Sequence, residues 1–143
     1  MAKTEHKHEA PKEDPRELIY QYRTFESQFS AIMGEAKKVE NSLIEFNLAI
    51  EAINNIDENP GSEILVPLGA NAFSYAKLSG SKDILTGIGS DVLVKKTTSE
   101  SIEIIKKNIE NLQKNLDTLN SIAKRVEDKL IELTPKIQPY IHE

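Results

Sequence analysis

Apolar residues recur with a heptad spacing in two long segments of the chain. In the first segment, successive apolar residues are separated alternately by four and three positions through five heptads. The series is Leu18, Tyr22, Phe25, Phe29, Ile32, Ala36, Val39, Leu43, Phe46, Ile50 and Ile53. A mean spacing of about 3.5 residues is the period of a coiled coil. With Asp14 as a cap, Pro15 at the first helical position and Asn59-Pro60-Gly61 as a stop, the pattern predicts an N-terminal coil helix over residues 15–58.

A second heptad series occupies the C-terminal part of the chain. It consists of Ile102, Ile105, Ile109, Leu112, Leu116, Leu119, Ala123, Val126, Leu130, Leu133, Ile137 and Tyr140. The run TTSE from Thr97 is a capping-box pattern, so we predict a C-terminal coil helix over residues 98–140. Pro135 and Pro139 lack a backbone N–H, and the continuous helix is therefore expected to end near Thr134, with a short turn after it.

Two seams of similar length within one chain favour pairing with each other. The first seam, from Leu18 to Ile53, spans about 53 Å at roughly 1.5 Å per residue, and the second is nearly as long. The simplest arrangement is an antiparallel coiled-coil hairpin, because the segment between the helices can fold the chain back. The alternative is that each helix pairs with another chain as an intermolecular zipper.

Residues 61–97 change from the heptad spacing to an alternation of about two residues, which is typical of β-strands. Turn residues divide this segment into two predicted hairpins with four strands. The strands are Glu63–Leu68, Ala72–Leu78, Asp83–Ile88 and Val92–Lys96. The turns contain Gly69-Ala70-Asn71, Ser79-Gly80-Ser81 and Gly89-Ser90-Asp91. The alternation places Ile64, Val66 and Leu68 on one face of the first strand.

The predicted hairpins are too small to be stable alone. A two-stranded hairpin is marginal in water, and its unpaired edges favour pairing with another chain. We therefore expect the strands to complete a sheet or barrel with strands of other subunits. The apolar residues expected at this interface are Ile64, Val66, Leu68, Phe73, Tyr75, Ile84, Ile88, Val92 and Val94. The alternative is a small sheet that folds onto the end of the coil within a monomer.

The segments EILVPLGANAFSYAKL and ILTGIGSDVLVKKT, placed between two long heptad helices, resemble the prefoldin alpha-class subunits of archaea. The resemblance covers residues 15–140, and four predicted strands favour the alpha class over the beta class, whose linker forms one hairpin. It implies an α+β fold that is mostly α, a long antiparallel coiled-coil hairpin. Two β-hairpins between the helices then form an intersubunit β-barrel.

The resemblance also implies partners and an activity. Family members form hexamers of two alpha-type and four beta-type subunits, in which coiled coils hang from the β-barrel. They hold unfolded client proteins without ATP and deliver them to a group II chaperonin. The alternative function is a structural protein whose strands build homo-oligomers or filaments, because a fold alone does not determine function.

Client binding is expected at the coil tip, where the helix ends remote from the hairpins meet. A two-helix seam cannot cover off-seam apolar residues there, and exposed apolar clusters are typical of binding surfaces. The expected client-binding residues are Leu18, Ile19, Tyr20, Tyr22, Ile131, Leu133, Ile137, Tyr140 and Ile141. The alternative is that they only complete the coil or contact another subunit, because off-seam residues such as Ile44, Leu48 and Ile122 also occur along the shaft.

Composition and charge limit the other classes of function. The chain has 143 residues, no Cys and a formal net charge of −5, which argues against disulfides, thiolate metal sites and nucleic-acid binding. It has no run of 18 apolar residues, so we expect no membrane span. The charged stretch MAKTEHKHEAPKEDP is not a signal peptide, and we expect a cytoplasmic protein with a charged, disordered tail over residues 1–14.

No sequence pattern for catalysis, cofactor binding or metal binding emerges. The phosphate-binding Gly-Lys dipeptide does not occur, and the G-x-G run from Gly87 has Val92 where a dinucleotide motif needs glycine. His6 and His8 form a His-x-His pair without an ordered third ligand, and His142 is isolated. The helix carboxylates share the solvent side with lysines, and a two-helix coil offers no pocket for acid–base catalysis. We therefore predict that the chain is not an enzyme and needs no cofactor.

Overall fold

The computed structural model describes residues 13–141 as two long α-helices with two antiparallel β-hairpins between them. The elements are α1 (Pro15–Glu58), β1 (Glu63–Gly69), β2 (Ala72–Lys77), β3 (Asp83–Gly89), β4 (Val92–Thr97) and α2 (Thr98–Ile137), followed by a 3₁₀ helix (Gln138–Tyr140). This arrangement confirms the predicted fold class. Most of the predicted tail, with His6 and His8, and the isolated His142 lie outside the described residues.

Capping hydrogen bonds fix both ends of α1. The Asp14 carboxylate accepts the backbone N–H of Arg16 at 3.0 Å. At the other end, the side-chain amide of Asn59 donates to the carbonyl of Asn55 at 2.9 Å, and the backbone N–H of Asn59 donates to the same oxygen at 3.1 Å. Gly61 then adopts a φ of +79°, which reverses the chain at low steric cost because glycine has no Cβ. The residues around α1 therefore stop the helix before β1.

The second hairpin runs into α2 without a loop. The Thr97 hydroxyl accepts the N–H of Glu100 at 3.2 Å and donates to the Glu100 carboxylate at 3.1 Å, so it caps the helix. The N–H of Thr98 donates to the carbonyl of Lys82 at 2.8 Å. The first helical residue is thereby tied to the segment that precedes β3.

The expected end of α2 near Thr134 is wrong, because the helix includes Pro135 and continues to Ile137. Pro135 lies in the last turn, where its missing N–H removes a single backbone hydrogen bond. The buried side chain of Ile137 packs against Leu18 and offsets that loss. The predicted final turn is the 3₁₀ helix that follows.

The buried apolar residues of the described chain follow the heptad series. Eight apolar side chains are buried, and each of them is a heptad position. They are Leu18, Ala36, Ile53, Leu116, Ala123, Val126, Leu133 and Ile137. The other members of both series are half-buried, apart from the exposed Tyr140. The spacing therefore separates a buried seam from a solvent-facing surface on both helices.

The chain divides into two compact units, and each contains part of both helices. The second unit comprises Lys38–Leu116 with both hairpins, and the first comprises the described residues on either side. In the first unit, Leu18 near the start of α1 packs against Leu133 near the end of α2. In the second unit, the hydroxyl of Thr98 at the start of α2 donates to the carboxylate of Asp57 near the end of α1 at 3.2 Å. Within each unit, the helices are therefore antiparallel partners in one chain, not halves of an intermolecular zipper.

The two hairpins repeat each other in register. Glu63 pairs with Lys77, and Asp83 pairs with Thr97, so the same pairing recurs 20 residues later (63 to 83 and 77 to 97). The remaining pairs of the first hairpin recur at the same offset, including a register shift next to the turn. Equivalent positions in the two hairpins can therefore be compared directly.

Each hairpin closes with a two-residue turn in which both residues have a positive φ. The angles are 50° and 61° at Ala70 and Asn71, and 49° and 60° at Ser90 and Asp91. Two consecutive positive φ values are typical of a type I′ turn, which matches the twist of the flanking strands. Asn and Asp adopt a positive φ readily, whereas a positive φ is sterically unfavourable for alanine.

Replacing Ala70 by glycine is expected to raise the free energy of unfolding by about 1 kcal/mol, because glycine removes the steric cost of the positive φ. Urea unfolding followed by far-ultraviolet circular dichroism measures the change. The control Ala72→Gly, in β2, is expected to lower stability by ~0.5–1 kcal/mol. A loss of stability in Ala70→Gly would contradict the turn assignment.

Candidate functional site

The hairpins expose apolar side chains on both of their faces. The exposed apolar residues are Ile64, Leu65, Val66, Leu68, Phe73, Tyr75, Leu85, Ile88, Val92 and Leu93. Leu65 and Val66 are neighbours in β1 and project to opposite faces, yet both are exposed. Within the described chain, each two-stranded sheet also keeps its outer edges unpaired. Sheets that are apolar on both faces are typically covered on both faces, so the hairpins are the first candidate functional surface.

Seven of the nine residues predicted for subunit assembly are exposed in the hairpins. The other two, Ile84 and Val94, are half-buried in the second hairpin. Leu68 lies at the register shift between Pro67 and Gly69, where the two-residue alternation is interrupted. Its assignment to one face of β1 therefore does not follow from alternation alone.

Three exposed leucines were missed by the sequence-based prediction of the assembly surface. They are Leu65, Leu85 and Leu93, and each is more than half exposed. The prediction assumed one apolar face for each strand, and these residues lie between the positions that it selected. The continuous apolar run ILVPL in β1 is the sequence signal for burial on both faces.

Polar contacts attach the second hairpin to the helices. The hydroxyls of Thr86 in β3 and Ser101 in α2 are 2.6 Å apart and share a hydrogen bond, and both residues are buried. Asp57 accepts the Thr98 hydroxyl and lies 4.0 Å from the Lys82 ammonium. The second hairpin is therefore fixed on α2 through Thr86, and its flanking residues Lys82 and Thr98 contact α1 through Asp57.

A buried apolar cluster joins the helix ends in the first unit. Leu18, Leu133 and Ile137 form its centre. Ile19, Tyr22 and Phe25 pack against this centre and are half-buried. Phe25 was placed on the seam by its heptad position but was not among the predicted client-binding residues. We refer to these six residues as the helix-end cluster.

Exposed apolar side chains also occur on the helix ends that carry the helix-end cluster. These are Tyr20, Ile131, Tyr140 and Ile141, and each is more than half exposed. We refer to these four residues as the helix-end surface. The nine residues predicted for client binding thus divide into three buried, two half-buried and four exposed side chains. The exposed group is available for contact with another molecule, and the buried group holds the helix ends together.

Charged residues line a cavity beside the helix-end cluster. The cavity has a volume of about 340 Å³, with Phe25 and Leu133 among its lining residues. The Lys136 ammonium lies 3.5 Å from the Glu13 carboxylate at its rim. About three turns before Lys136 on α2, the hydrogen bond to Asp128 is the main cause that raises the pKa of Lys124. The negative charge of the Asp128 carboxylate raises this pKa further. The helix-end cluster therefore has a charged border on the side of this cavity.

Residues 13–141 lack both a metal-binding cluster and a membrane-spanning helix. This part of the chain contains no group of three or more His, Asp or Glu side chains placed to hold a metal ion. Neither of its long helices carries an apolar stretch of the length that a membrane crossing requires.

Comparison with known proteins supports a single family. The family model for prefoldin subunits matches residues 25–140. The prefoldin alpha subunit of Methanoregula boonei is 31% identical over 121 residues, which cover 77% of this chain and 79% of that protein. The prefoldin alpha subunit of Methanococcus aeolicus is 28% identical over 130 residues, which cover 88% of this chain and 89% of that protein.

A solved structure shares the fold. The cryo-EM structure of filamentous PFD from Methanocaldococcus jannaschii matches with a TM-score of 0.70 at 15% identity, over 82% of this chain and 98% of that chain. At this identity the match concerns the fold alone. The family match over most of the sequence and the two hairpins between antiparallel helices agree with each other, and the chain belongs to the prefoldin family of chaperones as an archaeal alpha-class subunit.

Proposed function

We propose that this chain acts in the cytoplasm within a prefoldin complex that holds unfolded polypeptides without ATP and delivers them to a group II chaperonin. The observation that carries the proposal is the helix-end surface, four exposed apolar side chains on the helix ends that a buried cluster holds together. Apolar contact is not directional, so such a surface accepts segments of many different sequences. That property suits a chaperone whose clients share no fold.

The proposed partners are beta-type prefoldin subunits, with two alpha-type and four beta-type subunits in the complex. The hairpins supply the contacts, because their edges are unpaired in the single chain and both faces are apolar. Strands from neighbouring subunits pair with these edges and close a β-barrel. Coverage on both faces then removes the exposed leucines and aromatic residues from water.

The proposed client contacts are made by several subunits together. The exposed Tyr20, Ile131, Tyr140 and Ile141 touch the client, and the half-buried Ile19 and Tyr22 border the contact. Leu18, Leu133 and Ile137 act indirectly, because they are buried and position the exposed residues. Each contact is weak alone, and attachment through several subunits raises the total affinity by effective concentration.

Replacing Ile131 by serine in the assembled complex is expected to reduce its capacity to keep a denatured client soluble. Ile131 is 62% exposed, so the change removes apolar contact area without disturbing a packed core. Light scattering of a diluted, denatured client measures the effect. Adding Tyr20→Ser and Ile141→Ser is expected to abolish the activity.

The matched control is Ile122→Ser, which removes another exposed isoleucine of α2 outside the helix-end surface. It is expected to leave client retention unchanged. Equal activity of the triple variant and the unmodified complex would remove the helix-end surface from the mechanism. Delivery is tested separately by adding a group II chaperonin with ATP and measuring recovery of the folded client.

A second candidate function is a structural scaffold that forms homo-oligomers or filaments. The unpaired hairpin edges of the described chain favour this candidate, because an edge strand of one copy can pair with an edge strand of a second copy. Native mass spectrometry of the chain alone and with a beta-type subunit distinguishes the two. A scaffold gives large assemblies of the chain alone and does not keep a denatured client soluble.

A further inference from the structure

The outer side of α1 carries a line of apolar residues that the seam does not use. Ile44 and Leu48 are each 58% exposed, Ala52 is exposed and Ile56 is half-buried. These residues follow one another at intervals of four, so they lie along one stripe of the helix. The stripe passes over the side of α1 that faces away from the buried seam positions. We refer to these four residues as the outer stripe.

The outer stripe leads into a cavity beneath the first hairpin. The cavity has a volume of about 400 Å³, and its apolar lining is formed by Ala52 and Ile56 from α1 with Ile64 and Leu78 from the hairpin. The stripe from Ile44 to Ile56 spans roughly 18 Å, or about three helical turns. An elongated apolar surface therefore ends in a recess that can accept a side chain.

The chain segment that carries the stripe is acidic, and the Lys82 ammonium lies 4.0 Å from Asp57 near the C-terminal end of this segment. No Lys or Arg occurs from residue 39 to residue 76, whereas this stretch contains six acidic residues. Glu45 and Glu51 lie three positions before and three positions after Leu48, so both carboxylates border the stripe at its centre. A partner that covers the stripe therefore meets negative charge on its flanks.

The internal repeat indicates which kind of element covers such a face. In the second hairpin, Thr86 is 8% exposed because the first turns of α2 cover it through Ser101. The equivalent position in the first hairpin is Val66, because its pairing with Ser74 corresponds to that of Thr86 with Val94. Val66 is 38% exposed. A helix covers this face closely in the second hairpin, whereas in the first hairpin the same face borders the open cavity against α1 and stays more exposed.

We propose that the outer stripe and its cavity bind an amphipathic helix of another protein, with leucine-like residues on one side and Lys or Arg on the flanks. Burial of the apolar side supplies most of the affinity, because exposed ion pairs contribute little. The charges select the partner, since an acidic helix would be repelled by Glu45 and Glu51. The inference concerns a surface in the hairpin-containing unit and does not depend on client binding at the helix-end surface.

A pair of synthetic peptides tests the proposal with the assembled prefoldin complex. One is an amphipathic helix with leucines at intervals of four and lysines on both flanks, and its twin has glutamate at every lysine position. Fluorescence anisotropy is expected to show tighter binding of the lysine peptide than of the glutamate peptide. Leu48→Ser is expected to weaken that binding at least about tenfold, through loss of apolar burial. Ile131→Ser and Ile122→Ser change residues of the other unit. They are expected to leave the affinity for the lysine peptide within about twofold of that of the unmodified complex.

A charge exchange provides the decisive comparison. The double variant Glu45→Lys/Glu51→Lys is expected to lose affinity for the lysine peptide and to gain affinity for the glutamate peptide. Unchanged binding in Leu48→Ser, or equal binding of the two peptides, overturns the proposal. Loss of binding in Ile131→Ser also overturns it, because the peptide is then held as a client. Binding to the chain alone but not to the assembled complex overturns it in favour of a contact between subunits.

Discussion

Replacing Leu133 by alanine is expected to lower the free energy of unfolding by about 3 kcal/mol. Leu133 is 6% exposed and packs with Leu18 and Ile137 at the centre of the helix-end cluster. Truncation removes buried apolar area and leaves a cavity that the adjacent helix backbones cannot fill completely. Urea unfolding of the chain, followed by far-ultraviolet circular dichroism, measures the loss.

The matched control for this prediction is Ile131→Ala on the same helix. Ile131 is 62% exposed, so its truncation is expected to change stability by less than about 0.5 kcal/mol. Equal losses in the two variants would mean that Leu133 is not in a packed core. In the assembled complex, Leu133→Ala is also expected to reduce client retention although every exposed residue is intact, because the buried cluster positions the helix-end surface.

The helices and their seam were predictable because the 3.5-residue period repeats over many residues. Every buried apolar residue of the described chain was already a member of a heptad series. The hairpins were predictable from a different signal, the abrupt change of period between Gly61 and Thr97. Both signals are local, so they can be recognised in the sequence without knowledge of the contacts between elements.

Features that depend on contacts were harder to predict. A rule about backbone hydrogen bonds placed the end of α2 near Thr134, but burial of Ile137 extends the helix beyond Pro135. The leucines Leu65 and Leu85 were missed because a strand alternation identifies one apolar face and not two. Composition does not show whether a strand is covered on one face only or is covered on both faces in an assembly.

The nine client-binding residues were predicted as a group, but their division into buried, half-buried and exposed members needed the structure. Leu18 and Ile19 are adjacent in sequence and both apolar, yet one is buried and the other is half-buried. The outer stripe shows the same limit. Ile44 and Leu48 were noted only as off-seam residues, because their continuity with the cavity depends on the position of the first hairpin.

Replacing Thr86 by valine is expected to lower the free energy of unfolding by ~1–3 kcal/mol. The side chain of Ser101 is fully buried, and its hydroxyl lies 2.6 Å from that of Thr86. Valine has nearly the same shape as threonine, so the change mainly leaves the Ser101 hydroxyl without this partner. The strand itself tolerates valine, because Val66 occupies the equivalent position of the first hairpin. Urea unfolding followed by circular dichroism measures the effect. The control is Thr134→Val, because the exposed hydroxyl of Thr134 donates to the Leu130 carbonyl of its own helix.

A double-mutant cycle with Ser101→Ala separates the hydrogen bond from other effects of the substitutions. Each single variant leaves one buried hydroxyl without its partner, whereas the double variant removes both, so it is expected to lose about 1 kcal/mol less than the sum of the single losses. Because this bond fixes the second hairpin on α2, Thr86→Val is also expected to weaken assembly with beta-type subunits in native mass spectrometry. Additive losses in the cycle would mean that the two hydroxyls do not stabilise each other, and the polar contacts left at this hairpin would be those of its flanking residues Thr98 and Lys82 with Asp57.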